Sequence, residues 1–141
     1  MSSVNVSARR HLSLDDFFAG ILAVLKLRGV RVISVHGDRF YRAIEASYEK
    51  LESRASDYNV EPRFAIYLDP IYEDSPVIQE AIAGAILRNI ASISVPGNHD
   101  LQIRLGSAHA HGLLSRLPGG GALYGEIVDE FLAKTPYVAA V

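Results

Sequence analysis

No cysteine occurs among the 141 residues, so the chain has no disulfide framework, no thiol nucleophile and no thiolate metal cage. It must hold its fold by packing. Nor does either charge dominate: 14 Lys and Arg stand against 16 Asp and Glu, a formal net charge of -2. That balance excludes a histone-like nucleic-acid coat but leaves room for a local basic patch. A membrane span is also missing, because the longest apolar stretch, 77–90, is too short and carries Gln79, Glu80, Arg88 and Asn89. It reads as a buried helix. The basic start, Arg9-Arg10-His11, leads into an apolar segment broken by Asp15 and Asp16, which does not fit a secretory signal. With 49% apolar residues the chain has enough hydrophobic material to fold, and its length suits one domain. The expected division is a flexible N-terminal arm over 1–12, one domain over 13–136 and a C-terminal tail over 137–141. A cytoplasmic location is expected, with no membrane partner.

Helix signals come first. Ser13 can cap a helix whose opening carboxylates, Asp15 and Asp16, suit the positive end of its dipole. Phe17, Phe18, Ile21, Leu22, Val24 and Leu25 then form a broad apolar face, and Gly29 is a natural stop, which predicts a helix over 14–27. Val30, Val32, Ile33 and Val35 predict a short strand. Asp38 is placed to cap a second helix with Tyr41, Ile44, Tyr48 and Leu51 as its core stripe. Alternation of Phe64, Ile66 and Leu68 with Ala65 and Tyr67 predicts a strand over 64–68.

Ser75 and Pro76 mark the start of a third helix, buried through Ile78, Ala81, Ile82, Ala85, Ile86 and Ile90, with Ala83 and Gly84 allowing close approach by a neighbour. Ile93 and Val95 before the turn 96–100, and Leu101, Ile103 and Leu105 after it, make a hairpin. Helices follow over 107–117 and 122–134, separated by Pro118-Gly119-Gly120-Gly121, a mobile loop or helix junction. The fold class is α+β: a small helix-rich domain with a short sheet. Helix, strand, helix and then a helix feeding a hairpin resembles the winged-helix order, with the turn 96–100 as the wing. A layered arrangement pairing 30–35 with 64–68 in parallel is the other topology considered.

Chemistry-bearing residues are sparse. No phosphate loop or nucleophile elbow is present, and no cofactor is expected. The string Gly97-Asn98-His99-Asp100 is similar to a motif of calcineurin-like metallophosphoesterases. That resemblance implies Asn98 and His99 as ligands of a two-metal centre, with Asp38, His109 and His111 as conditional additions. The family's Asp-x-His near the first strand is missing, and the chain is short for that fold. His109 and His111 lie two apart, a spacing that converges on a strand and diverges on a helix. His36 reads as a turn residue. Asp69, Glu73 and Asp74 read as a solvated acidic face.

Basic residues favour the leading expectation instead. Arg9, Arg10, Arg28, Arg31, Arg39, Arg42 and Arg88 are the candidate DNA contacts, and residues 1–31 hold five basic against two acidic residues. Phe17, Phe18, Tyr67 and Tyr72 can anchor an interface, with core burial the simpler account of the first two. The sequence therefore points to a noncatalytic regulatory or binding domain, DNA-associated through a winged-helix-like module and homodimeric. The alternatives are a metal-dependent phosphoester hydrolase and a protein-binding subunit without nucleic-acid affinity.

Overall fold

The computed structural model describes residues 9–35, 38–66, 76–93, 100–134 and 138–140. It starts with β1 (Arg10–Leu12), inside the stretch expected as an arm, where Leu12 is buried in the core. Helix α1 (Leu14–Leu27) follows with the expected bounds. The Ser13 hydroxyl accepts the Asp16 N–H at 3.2 Å, which satisfies one orphan donor of the first turn. At the other end Gly29 takes φ +86°, a left-handed stop that a side chain would disfavour. Every residue from Phe17 to Leu25 is buried, because α1 is wrapped by three other helices rather than laid on one.

Strand β2 (Val30–Ser34) carries a bulge. Arg31 has no partner in the pairing of Val30 with Ala140 and Val32 with Ala139. The extra residue breaks simple alternation, so Val30 and Ile33, three apart, both face the core while Arg31 faces out. Helix α2 (Asp38–Tyr58) buries Ile44, Tyr48 and Leu51 as expected and half-buries Tyr41; Phe40, Ala43, Ser47 and Ala55 widen the stripe. It ends at Asn59, at φ +59°. The side chain of Asp38, the expected cap, is outside the described residues.

The expected strand over 64–68 is corrected. The strand here is β3 (Val60–Pro62), which pairs in parallel with β1, while 64–66 are irregular and 67–68 lie outside the described residues. Aromatic packing replaces the ladder. The Phe64 ring lies 5.1 Å from that of Phe17 and 5.5 Å from that of Tyr48, and the Tyr48 hydroxyl donates to the Phe64 carbonyl at 3.1 Å.

Helix α3 (Pro76–Leu87) has Pro76 at its first position and buries Ile78, Ala81 and Ala85. The expected burial of Ile86 is corrected at its far end. Ile86 is exposed, as is Leu87 at 84%, so only one face of α3 is buried. Gly84 meets its expectation: a Cβ there would run into the Asp15 carboxylate, so its absence lets α1 approach. Beyond the turn at Asn89, β4 (Ala91–Ile93) and β5 (Asp100–Ile103) form the expected antiparallel hairpin, with Leu101, Ile103 and Leu105 inward and Gln102 and Arg104 outward. The tip, 94–99, lies outside the described residues.

Helices α4 (Ser107–Arg116) and α5 (Gly120–Lys134) meet at a junction, and α5 begins two residues earlier than expected. Gly119 and Gly120 both have positive φ, +82° and +55°, which makes the turn possible. A last strand, β6 (Val138–Ala140), pairs with β2 inside the expected tail. The main sheet has the order β4-β5-β2-β6 and is antiparallel throughout, so the parallel partner proposed for β2 is not there; parallel pairing occurs between β1 and β3 instead. Edge-to-face contacts of Phe40 with Phe18 and with Phe131, at 6.4 and 6.2 Å, tie α1, α2 and α5 together. The class is α+β. Among the described residues, no helix is long and apolar enough to cross a membrane.

Candidate functional site

The seven candidate arginines fall into separate places. Arg9 is exposed, and Arg31 is exposed at the β2 bulge. Arg39 and Arg42, exposed on the opening turns of α2, line a shallow hollow of about 260 Å³ with Lys134 and the carboxylates of Glu45 and Glu49. Arg42 already interacts within the chain, and the two carboxylates offset the positive charge of the hollow, which leaves Arg39 as the exposed cation of the first turn. Arg88 and Arg28 also spend charge inside the chain: Arg88 Nη1 lies 3.5 Å from Asp16 Oδ1, and Arg28 Nη1 lies 2.8 Å from Asp129 Oδ1. Arg28 also donates to the Gly125 carbonyl at 3.0 Å, and Arg10 donates to the Arg116 carbonyl at 2.8 Å.

Arg10 and Arg28 meet at a second cavity, of about 720 Å³, between the end of α1, α4 and the start of α5. His111 also lines it. Sequence reasoning noted both arginines, His111 and the three glycines without joining them, because they come from segments about a hundred residues apart. The local sign in the sequence was the glycine run, whose residues 119–121 all line the cavity.

Of the candidate metal ligands, Asn98 and His99 lie outside the described residues, as do His36, the side chain of Asp38, and Asp69, Glu73 and Asp74. His109 and His111 are exposed on α4, where a two-residue step turns about 200° around the axis. The helix therefore sends them to different sides, and only His111 reaches the cavity. Among the described residues no three His, Asp or Glu side chains converge on a metal position. Phe17 and Phe18 are core residues, whereas Tyr67 and Tyr72 lie outside the described residues.

The strongest polar cluster ties α2 to α5. Glu126 accepts from the Tyr58 hydroxyl at 2.9 Å and from Arg54 at 2.9 and 3.3 Å. These donors hold its carboxyl below the usual carboxylate range, Tyr58 contributing most, then Arg54. The Arg54 guanidinium stacks 5.4 Å from the Tyr58 ring centroid. Each partner is committed to another residue of the chain, which suits an interhelical clamp. Comparison with protein-family models, with curated proteins and with solved structures finds no match to this chain.

Proposed function

We propose that the chain is a noncatalytic regulatory or binding domain of the cytoplasm that associates with DNA as a homodimer through a winged-helix-like arrangement. The observation that supports this reading is the antiparallel sheet in which β2, between α1 and α2, pairs with β5 of the β4–β5 hairpin that follows α3. One departure shapes the reading. Residues 59–75 separate α2 from α3, where a helix-turn-helix uses a turn of three or four residues.

The exposed side of α3 offers Gln79, Glu80 and the apolar Leu87, a poor face for reading bases. Affinity is therefore assigned to phosphate contacts by the exposed Arg39 and Arg31, with Arg9 as an exposed addition. Arg28 and Arg88 contribute less because each already faces a carboxylate of its own chain. Two such weak surfaces in one homodimer bind more tightly than either alone.

Titrating isotope-labelled protein with a short duplex tests the reading by amide shift mapping. The expected result is perturbation of the first turns of α2 and of β4 and β5. Perturbation confined to other surfaces, or none at millimolar duplex, refutes it. A second reading, a protein-binding subunit, is favoured by the exposed Leu87 beside Ile86; it predicts that Leu87→Asp abolishes partner capture and leaves DNA unaffected.

A further inference from the structure

The cavity between α1, α4 and α5 has the size of a small-molecule cleft, at about 720 Å³. Its lining divides by chemistry. Val24, Leu27, Leu114 and Leu117 contribute apolar surface, and Arg10, Arg28 and His111 contribute donors, with no carboxylate among the lining residues. Asp129, which balances part of the Arg28 charge, holds that guanidinium without lining the cavity itself. Arg10 and Arg28 are both anchored by backbone carbonyls, which fixes two otherwise flexible side chains and leaves other guanidinium N–H groups to donate. The order is in place before any ligand arrives, so less side-chain entropy is lost on binding.

Space is available where it is needed. A Cβ added at Gly121, one of the lining residues, would meet nothing within 4 Å, whereas one at Gly119 would run into the Leu123 side chain.

We infer that this cavity binds a small organic phosphate monoester, its phosphate held by Arg10 and Arg28 and its apolar body laid against Val24, Leu27, Leu114 and Leu117. A phosphate fits the arginine forks, and the apolar lining residues favour an apolar ester over the bare ion. Nothing in this assignment requires the DNA contacts at α2, which involve other residues.

Phenyl phosphate is the probe, with inorganic phosphate and phenol as its two halves. Isothermal titration of the full chain should give saturable binding of phenyl phosphate, with each half weaker by about tenfold or more. Arg28→Gln and Arg10→Gln should each weaken phenyl phosphate by about tenfold, the usual effect of losing a charge-assisted hydrogen bond. Gly121→Leu adds a bulky side chain at a lining position that has room for a Cβ and ordinary backbone geometry. It should abolish phenyl phosphate binding, keep the thermal midpoint, and leave duplex binding unchanged. Failure of wild-type protein to bind phenyl phosphate at millimolar concentration overturns the inference. So does equal binding by the Gly121→Leu protein. Equal loss of phenyl phosphate and duplex binding in Gly121→Leu also overturns it, by assigning the cavity to the DNA surface.

Discussion

Removing one oxygen atom should make this protein more stable. Tyr124 is fully buried on α5, and its hydroxyl has no hydrogen-bond partner among the described residues. Its ring is pressed against α1 at Gly20 and lies 6.5 Å from that of Phe17. A buried hydroxyl without a partner costs about 1–3 kcal/mol, whereas the void left by deleting the oxygen costs roughly 1 kcal/mol or less. Desolvation dominates, so Tyr124→Phe should stabilise the fold by about 1 kcal/mol. For a domain of this size that is a rise of about 3 °C in thermal midpoint.

Alkaline pH adds a second readout. Burial, and secondarily the charge of Asp16, push the Tyr124 phenol well above its ordinary value of 10.0. The folded state thus keeps a proton that the unfolded chain loses near pH 10, and wild-type stability should fall progressively above that pH. Urea unfolding at pH 7 and at pH 10.5 measures both effects. Tyr124→Phe should be the more stable protein at pH 7 and lose less stability at pH 10.5. A less stable Tyr124→Phe protein at pH 7 would refute the reasoning, because it would mean that the hydroxyl is satisfied.

Three further perturbations probe the packing and the clamp. Gly20→Ala places a Cβ against the Tyr124 ring; helix propensity favours alanine by about 1 kcal/mol, but overpacking costs about 1–3, so calorimetry should record a lower midpoint. Ser13→Ala removes the side-chain cap of α1 and should cost about 1 kcal/mol in urea unfolding, with Ser13→Asp restoring most of it. Glu126 has a lowered pKa, so its stabilising effect is complete above the ordinary value of 4.5 and is lost as pH falls through the lower folded value. Glu126→Gln should therefore flatten the fall in thermal midpoint below pH 4.5, and an unchanged acid profile would remove Glu126 from the account of acid lability.

What the sequence made legible, and what it hid, follows the range of the interactions. Helix α1 is written locally: a Ser13 cap, a dense apolar face and a Gly29 stop need no distant partner. The hairpin is similar, since Leu101, Ile103 and Leu105 alternate and a polar turn precedes them. Strands β1 and β3 are three residues each, with no alternation to read, and exist because distant segments meet in parallel. At 64–66, the described part of the expected strand, the alternation has no ladder behind it; Phe64 fills a slot between Phe17 and Tyr48. Helix α3 is apolar on nearly every side, so its pattern could not say that Ile86 and Leu87 face outward. The cavity was hidden for the same reason as the β1–β3 pair. Arg10, Arg28 and His111 become neighbours only after α1, α4 and α5 have packed.

The central claim is that exposed arginines, Arg39 at the start of α2 and Arg31 at the β2 bulge, bind DNA phosphates, and the salt dependence of duplex affinity tests it most directly. A homodimer making about four phosphate contacts, through Arg31 and Arg39 of both protomers, should give a slope of roughly -3.6 for log K against log salt concentration. The Arg31→Ala, Arg39→Ala double variant should lose most of that slope and most of the affinity. Binding that ignores salt, or a double variant that keeps the wild-type slope, would contradict the account.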